Sequence, residues 1–295
     1  FKCLGKRFAW GPIQRSRKIL LMPELLPGHG LLELTRVRDR TEITHSRATN
    51  PLKLITPRRH GSAAWVYAST FGGGLVAGDQ IHLDMRLTND TTCVLSTQAS
   101  TKVYRDPSHI GCRQSLQAQI DDGALLISVP DPVTCFAESM YDQHLRYDLA
   151  PEGSVVLLDW LTSGRRTRGE SWDFTRYRSQ IDVYQGQRQL ISDRLLLDPK
   201  DGPLESPFRV GRFHCLAVVV LVGTALEAAA TQILEEVGNA PVESTASLVE
   251  TVSPVAGGLI LRIAGITTEL VADCITRRLC FLQEFLGETP WARKW

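Results

Sequence analysis

The 295-residue sequence has no apolar run of the roughly 18 to 20 residues that a membrane-spanning helix requires. Its best apolar stretch, Cys215 to Val222, is the length of one buried strand. It also has no Cys-x-x-Cys pair. Its seven cysteines (Cys3, Cys93, Cys112, Cys135, Cys215, Cys274 and Cys280) are odd in number and scattered, which points to reduced intracellular thiols and a cytosolic protein rather than to a disulfide framework. There is no excess charge: 33 Lys and Arg stand against 32 Asp and Glu, so the whole-chain field favours neither nucleic acid nor an anionic membrane as main partner. Three short catalytic signatures are missing as well, the Walker loop GxxxxGK[ST], the nucleophile elbow GxSxG and the zinc helix HExxH.

The N-terminal stretch lacks acid. Lys2, Lys6, Arg7, Arg15, Arg17 and Lys18 precede the first carboxylate, Glu24. An organelle-targeting segment, an extension ahead of a start at Met22, and a basic arm all fit this pattern. The turn-forming LPGHG (Leu26 to Gly30), which leads into the first clear strand, favours the second reading. Residues 1–21 are therefore expected to be an extension, non-native or disordered.

What is present from Gly30 onward is a period of two. Leu31 to Arg38, Thr41 to Arg47, Gln80 to Leu87, Thr91 to Gln98 and Arg113 to Ile120 alternate apolar with polar residues, the pattern of strands with one buried face. Turn residues separate them at Val37-Arg38-Asp39-Arg40, Thr88-Asn89-Asp90, Asp121-Asp122-Gly123 and Pro151-Glu152-Gly153. The rhythm continues through Gly153 to Leu161, Ser179 to Gly186 and Gln189 to Asp198. A meander, sandwich or solenoid made mainly of β-strands is expected.

Two segments break the rhythm. Thr224 to Glu236 places Thr224 and Glu227 in capping-box spacing, has an alanine-rich interior and ends at Gly238-Asn239, predicting a helix. Thr268 to Leu286 carries Leu270, Cys274, Ile275, Leu279, Leu282 and Leu286 as an apolar helical stripe stopping at Gly287. No Pro, Gly and Ser linker sets these helices apart, so one domain with helices packed on β structure is expected.

Between Ser69 and Asp106 lies the stretch richest in chemistry. Gly72 to Ala77 fits GxGxxA, yet Gly78-Asp79 leads into an alternating strand and not into the helix that a dinucleotide fingerprint must open. The glycines then permit positive φ or close backbone approach at a bend. Gln80, His82 and Asp84 share one face of the strand that follows, opposite Ile81, Leu83 and Met85. That face is either solvated or lines a water-filled passage. The run Ser96 to Lys102 is dense in hydroxyls and amides, which in strands more often bond to backbone than catalyse.

Together, GGLVAGD (Gly73 to Asp79) and STQASTKVYR (Ser96 to Arg105) closely resemble the UreD family of urease accessory proteins, also named UreH. The resemblance extends to PDPVTCFAES (Pro130 to Ser139), LLDWLTSGRRTRGESW (Leu157 to Trp172), SDRLLLDP (Ser192 to Pro199) and, with altered order, the terminal PWARKW. Ala77 stands where a glycine is usual, and Phe71-Gly72 where a small residue is common.

The resemblance implies a UreD-like domain over residues 22–295, with a strand-rich, helicoidal or solenoid-like fold and two helices in the C-terminal third. It implies a non-enzymatic maturation factor for urease that joins UreF and the GTPase UreG on apo-urease and helps nickel, an ion in transit and not a resident cofactor, through an internal water-filled tunnel. A dimer within that complex is compatible with it. The positions carried over are Asp79, Asp84, Glu170, Asp131 and Asp159 for the nickel path, Ser100, Thr101 and Lys102 for polar tunnel residues, and Gly73, Gly74 and Gly78 for the turn. Isolated carboxylates and hydroxyls would attract nickel without trapping it, since tight nickel sites use imidazole and thiolate. Glu170, flanked by Arg165, Arg166 and Arg168, fits a surface ion-pair network equally well. Two other classes remain: a β-solenoid polysaccharide hydrolase or lyase using Asp79 and Asp84, against which the absence of repeats of about 20 to 25 residues counts, and a metal-independent β interaction module.

Overall fold

The computed structural model describes residues 25–57 and 61–291. The extension 1–21, Cys3, the start at Met22 and the last four residues of PWARKW lie outside the described residues. Strands β1 (His29–Val37), β2 (Arg40–Ala48), β3 (Leu52–Ile55) and β4 (Ala64–Thr70) open the fold. The chain then winds back and forth between two sheets through β5 (Gln80–Leu87), β6 (Thr92–Thr97), β7 (Thr101–Val103), β8 (Cys112–Ile120), β9 (Leu125–Ser128), β10 (Val133–Cys135), β11 (Met140–Leu149), β12 (Ser154–Thr162) and β13 (Arg176–Gln185). In one sheet β1, β5, β8, β11 and β13 run parallel side by side, and in the other β4, β6, β9 and β12 do the same. This is the expected strand-rich, solenoid-like coil.

Antiparallel strands close both sheets. β2 and β14 (Arg188–Leu197) flank the first. The second ends in β3 on one side and, on the other, in β15 (Cys215–Val222), with β16 (Leu248–Val255) and β17 (Gly258–Gly265) beyond it. Gln80 pairs with Arg113 and Cys112 with Tyr141, so one coil takes about 30 residues and successive coils differ in length. The coil thus forms without a fixed repeat of about 20 to 25 residues.

The two sheets meet different surroundings, and their sequences differ accordingly. The first sheet is buried on one face only, so β5 alternates between exposed or half-buried and buried positions. The second is covered on its far face by helices α1 (Glu227–Gly238), α2 (Thr268–Arg278) and α3 (Leu282–Leu286), which pack onto Val94, Ile127, Val156, Val219 and Leu261. All nine residues of β12 are buried, as expected for a parallel strand covered on both faces. We call these the open and the covered sheet.

The helices correct the sequence reading in two details. The Thr224–Glu227 capping box does not form. The chain enters through a 3-10 turn, Thr224–Leu226, with no side-chain cap, and the Ala225 amide donates to Ser154 Oγ at 3.2 Å. Gly223, at φ 119°, fixes this approach, since a Cβ there would stand 2.5 Å from the Gly153 carbonyl oxygen. The second helix is two: bonds Leu282 N to Leu279 O and Gln283 N to Cys280 O tighten the chain between α2 and α3. The turn keeps Leu279, Leu282 and Leu286 on the covered sheet. α2 takes its cap from Thr267, whose hydroxyl accepts from the Leu270 amide.

Candidate functional site

Between the sheets, side chains form three layers. One end is the apolar cluster of Leu32, Leu83, Leu126, Leu145, Leu157 and Ile181, among others. The other end contains Leu75, Ile81, Val103, Tyr141, Leu161 and Tyr177. The layer between them is polar. Asp159 of β12 points inward from the covered sheet and accepts from Gln143 Nε2 of β11 at 2.9 Å and from Ser179 Oγ of β13 at 2.6 Å. Tyr141 donates to Gln143 Oε1 at 3.0 Å and lies 3.3 Å from Gln114 Oε1. Asp131 joins the layer through Thr97, whose hydroxyl donates to its carboxylate at 3.0 Å and accepts from its amide at 2.7 Å.

A cavity of about 70 Å³ lies at this level, with Thr97, Thr101, Gln114, Asp131, Gln143 and Asp159 in its wall. Since one water needs about 10 to 15 Å³ of such space, it has room for several. It shares Leu52, Ala68, Thr97, Thr101 and Gln114 with a second hollow of about 140 Å³, whose outer wall is Ser69, Gly73, Gln98, Ala99 and Ser100. The backbone explains the opening. β6 stops at Thr97 and resumes as β7 at Thr101, while β9 stops at Ser128 and resumes as β10 at Val133, with Pro130 and Pro132 in the second gap. Proline has no amide to offer a ladder, so the covered sheet is interrupted at the level of the polar layer.

Burial pushes the Asp159 carboxyl above its usual range even though Ser179 and Gln143 hydrogen-bond to it. The other polar groups of the cavity wall include the Asp131 carboxylate, the hydroxyls of Thr97 and Thr101 and the amides of Gln114 and Gln143. Among the described residues, no three His, Cys, Asp or Glu side chains gather into a group able to hold a metal ion.

The structure brings together only part of the sequence-selected set. Asp131, Asp159 and Thr101 line the cavity, and Thr101, Ser100 and Gly73 line its outer hollow. Asp79, Asp84, Lys102 and Glu170 are in neither wall. Asp79 closes its own turn, its carboxylate accepting from the Val76 amide at 2.8 Å. The Gln80, His82 and Asp84 face looks outward from the open sheet, and Asp84 Oδ1 lies 3.0 Å from His82 Nε2; none of the three lines the cavity or its outer hollow. Lys102 is an exposed strand residue whose carbonyl accepts from the Leu75 amide. Glu170 is clamped by Arg165 through two hydrogen bonds, one of them 2.9 Å from Nε, and those bonds hold its carboxyl below the ordinary range. In the glycine turn, Gly73 and Gly78 have φ of 69° and 86°, while Gly74 is extended and passes against the Lys102 carbonyl.

Sequence reasoning missed Gln143, Ser179, Gln114 and Ser128. A signal existed. In β11 the inward positions read Tyr141, Gln143, Leu145, Tyr147, and in β13 Tyr177, Ser179, Ile181, Val183. Each strand has one polar residue in its buried phase, and Asp159 is the same interruption in the apolar run of β12. The three interruptions are the three that bond to one another.

Comparison with known proteins gives one answer. Residues 27–295 match the family model described as UreD urease accessory protein. A Urease accessory protein UreD of Sorangium cellulosum is 46% identical over 269 residues, covering 91% of this chain and 84% of that protein. One from Anaeromyxobacter is 37% identical, covering 91% and 90%. Urease accessory protein D of Arabidopsis thaliana is 32% identical over 89% of this chain and 99% of its own length. With a match across nearly all the described residues, the chain belongs to the UreD family of urease accessory proteins.

Proposed function

We propose that this chain is a non-catalytic maturation factor of the cytosol that holds UreF and the GTPase UreG on apo-urease and conveys nickel through its interior toward the urease active site. The observation that carries the second part is the polar layer: a water-sized passage whose wall holds the carboxylates of Asp131 and Asp159 amid hydroxyls and amides. Oxygen donors spread along a wet path lower the energy of a divalent cation step by step and offer no tight site in which it would stop. The polysaccharide hydrolase is disfavoured by different facts from the missing repeat. The Asp79 carboxylate is occupied by its own turn and that of Asp84 lies against His82, and the relatives are named accessory proteins.

The test uses a host that lacks its own UreD, complemented with this chain or with the double variant Asp131→Asn plus Asp159→Asn, which keeps side-chain size and removes both charges. Urease activity is expected to drop at least fivefold in the variant while UreF is still pulled down. Full activation by the variant would refute the passage. Failure of soluble wild-type protein both to activate urease and to retain UreF would refute the whole reading.

A further inference from the structure

One edge of the open sheet ends in leucine. β14 is the last strand of that sheet, and among the described residues β13 is its only strand neighbour. The backbone groups along its other edge therefore have no ladder. Proteins usually blunt such an edge with charge or proline. In β14 two of the charges are engaged elsewhere, Arg194 with Asp182 at 2.7 Å and Asp193 with Arg262. After them comes Leu195-Leu196-Leu197, in which Leu196 is 52% exposed.

Beside this end of β14 lies a groove of about 990 Å³. Its wall includes Leu195, Val210 and Leu216, half-buried residues packed on the apolar cluster of Leu75, Tyr141 and Tyr177. Phe208, also in the wall, is 97% exposed. A phenylalanine so placed adds nothing to the core, and together with Leu196 it makes apolar surface of the kind that marks an interaction site. The groove shares no lining residue with the cavity or its outer hollow.

Two guanidiniums stand in this wall against one carboxylate. Among the described residues neither Arg209 nor Arg212 has a carboxylate partner: Arg209 Nη1 donates to the carbonyls of Asp198 and Gly202, and Arg212 Nη2 to that of Ala246 at 2.7 Å. Carbonyls orient a guanidinium without neutralising it. The carboxylate, Glu205, accepts from Ser171 Oγ at 2.6 Å. A second copy of this chain is a poor occupant, because about a two-fold axis the patch would set guanidinium against guanidinium. An acidic segment supplies the missing partner, and one carboxylate can take two parallel bonds from an arginine.

We infer that the free edge of β14 and this groove form a docking site for an extended, acidic segment of a partner protein, which adds a strand to the open sheet. The added strand lies about 4.8 Å beyond β14. Its main chain bonds to the edge, its alternate apolar side chains enter the groove beside Phe208, and an Asp or Glu reaches Arg209 or Arg212. The site goes beyond the proposed function, since it needs neither nickel nor the polar layer and its partner is defined by chemistry alone.

The experiment selects a phage-displayed library of random dodecapeptides on the purified full-length chain, then titrates the enriched peptides by fluorescence anisotropy with wild type, Phe208→Ser and Arg212→Gln. Enriched sequences are expected to alternate apolar residues and to carry Asp or Glu, and each variant to bind them at least fivefold more weakly. Phe208 is almost fully exposed, so its replacement leaves the fold intact, and glutamine at 212 keeps a donor for the Ala246 carbonyl. A second readout needs no variant: bound peptide is expected to slow amide hydrogen exchange in β14 of the wild type, read by mass spectrometry, which docking without strand pairing would not do. The inference would be overturned by the absence of any enriched peptide, by enriched sequences that are basic, by affinity within twofold of wild type in both variants, or by unchanged exchange in β14. A wild-type dimer that Phe208→Ser dissociates in analytical ultracentrifugation would also overturn it, assigning the groove to a second copy. None of these assays contains urease or nickel, so their failure leaves the proposed function standing, and failure of the activation assay leaves the groove as a docking site.

Discussion

Replacing Asp159 tests the polar layer directly, because its carboxylate is the joint between the sheets. Asp159→Ala removes the acceptor of one Gln143 amide hydrogen and of the Ser179 hydroxyl. A buried polar group left without a partner costs about 1 to 3 kcal/mol, so two would cost about 2 to 6 kcal/mol. Two features shift the result to the low end. Gln143 Nε2 retains Ser179 Oγ at 3.1 Å, and the adjoining cavity gives water access to the freed groups. A loss of about 2 to 3 kcal/mol relative to Asp159→Asn is the expected value. The carboxamide keeps both contacts, its oxygen accepting from Gln143 and its nitrogen donating to Ser179.

The wild type should fall between these variants in a pH-dependent way. The folded carboxyl titrates above its ordinary value of 3.8, chiefly through burial and with a smaller contribution from Asp193. Below 3.8 both folded and unfolded forms are protonated and the group is neutral with respect to stability. As pH rises from there to the raised folded value, the unfolded chain ionises first and stability is lost. Urea denaturation at intervals from pH 4 to 8 should therefore show Asp159→Asn gaining on the wild type as pH increases. A constant gap, or one that moves in favour of the wild type, would show that the carboxylate is not buried in this way. An alanine variant as stable as the asparagine variant would show that the bonds to Gln143 and Ser179 contribute nothing.

Glu170 carries the opposite sign. Its carboxyl is depressed, first by its hydrogen bonds to Arg165, so its stabilisation is present above the unfolded carboxylate value and disappears as pH falls through the folded one. Glu170→Gln should lower the thermal midpoint at pH 7 and converge with the wild type in acid; an equal deficit at both would refute the ion pair. Gly74→Ala tests the motif turn: its Cβ would stand 2.6 Å from both the Lys102 carbonyl oxygen and the Tyr104 ring. That clash should break the Leu75 to Lys102 bond and cost about 1 to 3 kcal/mol in urea unfolding, and an unchanged midpoint would contradict the packing.

The open sheet was legible because water touches one side of it. β5 was read to the residue, and β8 to within one position at its start. The covered strands β12 and β15 could be read as apolar runs, but nothing in a run says which strand lies beside it. Parallel pairing over about 30 residues leaves no local trace of the kind a hairpin leaves. β11 is hard to read from sequence for another reason. Its inward face would have completed an apolar alternation except at Gln143, so the residue that hid the strand is one that builds the site. Of the carboxylates taken from the family resemblance, Asp131 and Asp159 reach the cavity, while Asp79, Asp84 and Glu170 are engaged by a turn, a histidine and an arginine. Sequence motifs mark where a chain is constrained; whether a carboxylate faces inward or closes its own loop depends on strand phase and partners.

The position of the polar layer is its most telling property. Buried polar groups can often be replaced by apolar ones of similar size at no loss, and here the replacement would join two apolar clusters that already lie above and below. Stability alone therefore gives no reason for Gln143, Asp159 and Ser179 to occupy the middle of the sandwich. Their level coincides with an interruption of the covered sheet, between Thr97 and Thr101 and between Ser128 and Val133. An interruption opposite an apolar layer would expose hydrocarbon to water, and a polar layer behind intact strands would be sealed from it. The two together set a polar-walled cavity beside an outer hollow with which it shares Thr97, Thr101 and Gln114.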